Sequence, residues 1–121
     1  MAARYELKHT KNGEFVFNLL AGNNEVILTS QMYKEKSGAL NGIESVQKNS
    51  PLDEHFERKT AVNGQFYFDL HAVNKQIIGK SETYTTKAAM EKGIASVKKN
   101  GPVTVVKDLT LVEPKAKAAK A

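Results

Sequence analysis

Apolar and polar positions alternate along residues 15–20, which puts Phe15, Phe17 and Leu19 on one side of an extended chain and Val16, Asn18 and Leu20 on the other. The alternation returns at residues 66–71, with Phe66, Phe68 and Leu70 set against Tyr67, Asp69 and His71. Period two in aromatic and branched residues predicts two strands whose Phe-x-Phe-x-Leu faces are buried. Directly before them stand Asn12-Gly13 and Asn63-Gly64. Both residue types accept positive φ, so each pair predicts a type I′ hairpin turn with a strand ahead of it. Residues 4–10 and 55–61 supply that strand, with Tyr5, Leu7 and Phe56 on the apolar side. Beyond each central strand, residues 21–24 and 72–75 read as turns leading into third strands at 25–30 and 76–81.

The period then lengthens. At 100° per residue Ala39, Ile43 and Val46 line one side of a helix, and Met90, Ile94 and Val97 do the same later. Beside each apolar stripe runs a row of small residues: Gly38, Gly42, Ser45 and Asn49, then Ala89, Gly93, Ser96 and Asn100. A glycine inside a helix costs about 1 kcal/mol relative to alanine. Glycine at matched positions 42 and 93 therefore implies a close backbone approach, and the smooth helix edges are the expected meeting place of the two halves. Asn49-Ser50-Pro51 and Asn100-Gly101-Pro102 are expected to end the helices with a left-handed residue and a proline.

Residues 12–51 and 63–102 align without a gap at an offset of 51, with 18 of 40 positions identical, so the chain is an internal duplication. Each copy is a three-stranded meander followed by a helix, and the fold class is α+β, two tandem βββα repeats related by pseudo-two-fold symmetry. One such unit has too small a core to stand alone. Two repeats, about 3–51 and 54–110, are expected to form a single compact domain within residues 1–114, monomeric because the second repeat does what a homodimer partner would do. The matched segments "NGEFVFNLLAGNNEVILTSQMY" with "GIESVQKN", and "NGQFYFDLHAVNKQIIGKSETY" with "GIASVKKN", resemble the YegP-like family, small bacterial proteins of uncharacterised function built from one or two βββα repeats. The resemblance spans about residues 3–110. It implies the fold and supplies no catalytic, cofactor or ligand residues.

Composition changes this picture little. The net charge of +5 is concentrated at the end of the chain, where Lys115, Lys117 and Lys120 follow Pro114; residues 1–114 carry 15 basic and 13 acidic groups. The 115–121 segment is expected to be a disordered Lys/Ala tail. Without cysteine there is neither a disulfide framework nor a thiolate metal site. No window approaches the roughly 18 apolar residues of a membrane span, and the N-terminus has no apolar signal core, so a cytoplasmic protein is expected.

Candidate chemistry is sparse. His9, His55 and His71 show no metal-ligand spacing and are expected on the solvated surface. Tyr67, Asp69 and His71 share the non-core face of one strand, where they form a candidate hydrogen-bonded set that the first copy, with Val16, Asn18 and Leu20, does not have. Ser30 and Ser81, each followed by a tyrosine at 33 or 84, mark strand-to-helix junctions, and junction hydrogen bonding is expected of them rather than nucleophilic chemistry. No phosphate-cradling glycine loop occurs, so no cofactor and no enzymatic activity are expected. The leading expectation is a small binding module for a protein partner. The alternative is a weak, sequence-independent nucleic-acid binder using Lys115, Lys117 and Lys120 with Lys92, Lys98 and Lys99, Lys48 lying on the matching face of the first helix.

Overall fold

The computed structural model describes residues 3–111. Each repeat forms the three strands and helix expected: β1 (Arg4–His9), β2 (Phe15–Leu20), β3 (Val26–Thr29) and α1 (Lys36–Asn49), then β4 (Phe56–Thr60), β5 (Phe66–His71), β6 (Ile77–Lys80) and α2 (Lys87–Asn100). A strand the duplication does not foreshadow follows, β7 (Val106–Asp108), and a 3-10 turn at Leu109–Leu111. All seven strands join one sheet in the order β4-β5-β6-β3-β2-β1-β7. Every pairing is antiparallel except that of β7, which runs parallel to β1. Both helices pack on one face, each over its own central strand and the third strand of the other repeat. Tyr5, Leu7, Phe17, Leu19, Phe68, Leu70, Ile94 and Val97 are closed to solvent between sheet and helices in one continuous core.

The hairpin turns are not type I′. Asn12 keeps a negative φ and only Gly13 is left-handed, at φ 84. The Gly13 N–H donates to Thr10 O at 3.1 Å and the Thr10 N–H to Glu14 O at 2.8 Å, a type I turn closed by a left-handed residue. Gly64 repeats the geometry, and so do the second hairpins, where Asn24 and Lys75 occupy the left-handed position at φ 70. An extra residue is thereby fitted into each turn, and the right-handed strand twist is preserved.

The helix glycines do make close approaches, but not to the other repeat. The Tyr33 ring stacks on Phe17 at 6.1 Å and 12°, and its hydroxyl ends beneath α1, where a Cβ on Gly42 would collide with it. Tyr84 lies on Phe68 in the same way and would block a Cβ on Gly93. The glycine rows seat each repeat's own tyrosine.

Besides each helix lying over the other repeat's third strand, the repeats are joined by the β3–β6 seam, with Thr29 opposite Lys80, and by two contacts between residues that are each other's counterparts at the offset of 51. Leu28 fills the space a side chain at Gly79 would need, and Ser50 does the same at Gly101. Residues that touch their own counterparts lie at the pseudo-two-fold axis. Two large side chains would overlap there, and the fused chain resolves the conflict by being large on one side and small on the other. Gly101 is thus a steric requirement. It is helical at φ −56, as Ser50 is at φ −62, so neither helix ends in the left-handed residue expected.

Candidate functional site

The face of the sheet opposite the helices is built from the alternate residues of every strand. Through the strand registers, Glu57, Asp69, Lys80, Thr29, Asn18, Glu6 and Lys107 form one continuous polar row across all seven strands. Its two halves are made differently. In the first repeat the row is neutral at its centre, where Asn18 Nδ2 donates to Thr29 Oγ1 at 2.9 Å, while Glu6 pairs with Arg4 at 2.8 Å. In the second it is charged. Asp69 is fully buried beneath its neighbours, its Oδ2 lies 2.8 Å from Lys59 Nζ, and Lys59 reaches Glu57 Oε1 at 3.7 Å. His71 Nε2 stands 3.0 Å from the same Glu57 oxygen. Contact with the Asp69 carboxylate raises the pKa of Lys59 and keeps its ammonium charged.

Tyr67, Asp69 and His71 do not form one hydrogen-bonded set among themselves. Asp69 meets Lys59, His71 meets Glu57, and the Tyr67 ring lies under Lys80 Nζ at 5.4 Å from its centroid. His71 and His55 are also less solvated than the sequence suggests: both are partly buried, with His55 Nδ1 2.9 Å from the His71 carbonyl oxygen. His9 is exposed, its ring tilted against Phe15 at 4.7 Å.

At the seam, two shallow hollows flank the Thr29–Lys80 pair. One, of about 340 Å³, is lined by Val26, Leu28, Thr29, Lys80 and Glu82; the other, of about 330 Å³, by its counterparts Ile77, Gly79 and Lys80 with Thr29 and Gln31. Val26 and Ile77 are 41% and 40% exposed at their margins. Ser30 and Ser81 border the hollows but are engaged: each hydroxyl accepts from the amide of Phe17 or Phe68 at 3.0 Å and donates to the next residue's carbonyl. They hold the chain as it leaves β3 and β6.

The helix lysines are not gathered into one patch. Lys98 pairs with Asp53 at 2.6 Å and lies over the Phe56 ring, while Lys92 and Lys99 are exposed on another side of α2 and Lys48 is exposed on α1. Lys115, Lys117 and Lys120 lie outside the described residues.

The model of a domain of unknown function, DUF1508, matches residues 10–57 and again residues 61–108. The chain belongs to this family. DUF1508 relatives include the UPF0339 protein of Shewanella oneidensis and the UPF0339 protein YegP of Escherichia coli K12. Each is 53% identical over 110 residues, a span covering 91% of this chain and all of the relative. Solution NMR structures of the Shewanella and E. coli proteins resemble this chain with TM-scores of 0.88 and 0.87 at 50% and 51% identity. The first covers 98% of this chain and all of the relative, the second 93% and 97%. The E. coli structure is described as that of a protein of unknown function. Family membership therefore carries the tandem DUF1508 architecture and leaves the chemistry to the residues.

The partners of Asp69 do not follow from the expected turn. A two-residue loop at Asn63-Gly64 would set Arg58 opposite Asp69, whereas the observed loop, one residue longer, sets Glu57 there and Lys59 opposite Tyr67. The row across the seam was no more legible, because the β3–β6 pairing joins the two repeats and no local signal fixes its register.

Proposed function

We propose that this protein is a small non-enzymatic interaction module, monomeric and cytoplasmic, that engages a protein partner on the open face of its sheet around the β3–β6 seam. The observation that carries the reading is the pair of hollows beside Thr29 and Lys80, margined by the exposed Val26 and Ile77 and bordered by the polar row. Apolar side chains at a polar margin are the mixture that protein surfaces bring together on association. The opposite face is already spent on the helices. The absence of any cysteine is compatible with a reducing compartment, and among the described residues no helix is long and apolar enough to cross a membrane. A monomer is supported by the seam, whose axis positions hold unlike residues and so fit one fused chain.

The test is site-specific photocrosslinking in nuclease-treated cell extract, with the photoreactive residue at Thr29 or, as the control, at the exposed Ala95 of α2. The proposal expects discrete protein adducts from position 29 that survive nuclease and disappear when Ile77→Glu is added. Adducts formed equally from position 95 would contradict the face. Adducts lost to nuclease would favour the nucleic-acid alternative, in which Lys115, Lys117 and Lys120 act with the helix lysines.

A further inference from the structure

We propose that Glu57, Asp69 and His71 form a binding site for a divalent first-row transition ion, Zn²⁺ by preference, in which the Lys59 ammonium is the resident competitor. One imidazole nitrogen and two carboxylates are a donor set suited to Zn²⁺ and its neighbours. Their ligand atoms lie within 4.8 Å of one another. Donors around a tetrahedral ion stand roughly 3.4 Å apart when the metal–ligand distance is near 2.1 Å. The His71 Nε2 to Glu57 Oε1 separation of 3.0 Å is close to that edge.

A second observation concerns hydrogen bonding. Both oxygens of the fully buried Asp69 and the buried His71 Nε2 have no hydrogen-bond partner of acceptable geometry. Lys59 and Glu57 come near them, at 2.8 and 3.0 Å, without the angles of a hydrogen bond. Buried polar atoms are nearly always satisfied; here Asp69 Oδ2 and His71 Nε2 have only their ion-pair contacts and Asp69 Oδ1 has no hydrogen bond, which leaves room for a further partner. An ion bound here, with the donors drawn in from separations of up to 4.8 Å, would satisfy all three. Lys59 supplies the positive charge in its absence, and because its side chain is one-third exposed it can leave for solvent when a divalent ion enters. Glu57 and His71, though not Asp69, also border a hollow shared with Glu54, His55, Val73 and Lys75, through which an ion can reach them.

The first repeat is the built-in control. At the counterpart positions it keeps Glu6 and Lys8 but has Asn18 and Leu20 where the second has Asp69 and His71. Asn18 is satisfied by Thr29 and no such donor set arises. The site is therefore a property of one copy, on a backbone that does not need it.

The experiment is titration of chelator-treated, ¹⁵N-labelled protein with Zn²⁺, reading the His71 ring nitrogens and the amides of β4 and β5. His71→Leu and Asp69→Asn install the first repeat's own residues and keep the fold; either should abolish the response, and His9→Gln should leave it unchanged. Lys59→Met should tighten binding by about tenfold or more, since it removes a positive charge competing for the same carboxylates. Zinc shifts confined to His9, binding that survives His71→Leu, or Lys59→Met binding no tighter than wild type would each overturn the proposal.

Discussion

The outer edges of the two repeats are the same strand in two settings. In the first, β7 pairs with β1 and the turn after it packs there; Leu7 is fully buried and Asp108 is tied to Lys36 of α1 at 2.6 Å. In the second, no strand among the described residues lies beyond β4. The counterpart of Leu7 is Arg58 and that of Leu40 is Glu91, and these two are joined at 2.6 Å. Arg58 also holds Asp53, which Lys98 shares. A covered edge takes leucine and an uncovered edge takes a charge network. That is the expected defence of a free edge, since an open strand with apolar side chains is a template for another chain. The difference teaches that identity between the copies was kept where each repeat packs on itself, at the Phe-x-Phe-x-Leu strand, the tyrosine and the helix glycine. It was lost where their surroundings differ.

The comparison can be broken most forcefully by exchanging the edge residues. Leu7→Arg in the full chain places an unpaired charge under β7 and should cost on the order of 3 to 5 kcal/mol in chemical denaturation. The reverse change, Arg58→Leu, should move stability by no more than about 1 kcal/mol, because its ion pairs are exposed, and should appear instead as concentration-dependent association in sedimentation. Equal costs at the two sites would erase the distinction.

The internal packing of the repeats should respond alike. Gly93→Leu overpacks the Tyr84 hydroxyl and should destabilise by about 1 to 3 kcal/mol. In a Tyr84→Phe background the cost of the smaller Gly93→Ala should fall, and the Gly42–Tyr33 pair should show the same coupling in a double-mutant cycle.

The charged edge also sets a pH dependence. The pKa of Asp53 is lowered by its hydrogen bonds to Lys98 and Arg58, and that of Glu91 by Arg58. Asp108 is pulled up by burial, but its bonds to Lys36 and Thr110 outweigh this and leave it lowered. A carboxylate depressed in the folded state stabilises above its unfolded value and loses that contribution as pH falls through its folded one. Melting temperature should therefore drop as pH is lowered through roughly 4 and below, and the drop should be shallower in Arg58→Leu. A melting temperature flat across that range would remove the network from the account.

The smallest effect sharpens the comparison at the turns. Lys75 holds φ 70 where the first repeat has Asn24. Lys75→Gly should stabilise by about 0.5 to 1 kcal/mol by relieving the left-handed conformation, whereas Asn24→Gly should do less.

Most of the repeat was legible in the residues because its signals are local. Period two at Phe15–Leu20 and Phe66–His71, period 3.6 at Ala39, Ile43 and Val46, and the offset of 51 gave the strands, the helices and the duplication. The turn type was misjudged because Asn-Gly suits two geometries, and the hydrogen bonds from Thr10 and Gly13 choose between them. β7 was missed although Val103, Val105 and Val106 are branched and apolar, because its partner lies about a hundred residues back in β1 and it has no counterpart in the other copy. Of the candidate site, Asp69 and His71 were picked out by their face of β5. Lys59 and Glu57, which decide what that face does, come from a neighbouring strand and enter only once its register is drawn.

The central claim, that each edge's residues answer to what covers it, is tested most directly by removing the cover. A chain ending at Val103 loses β7, exposes Leu7, and is predicted to have a lower melting temperature and to self-associate. The same truncation carrying Leu7→Arg and Leu40→Glu, which copies the second repeat's ion pair onto the first, is predicted to be monomeric in sedimentation and to regain part of the lost stability. A truncated chain as stable and monomeric as the full one, or a transplanted pair that makes association worse, would contradict the account.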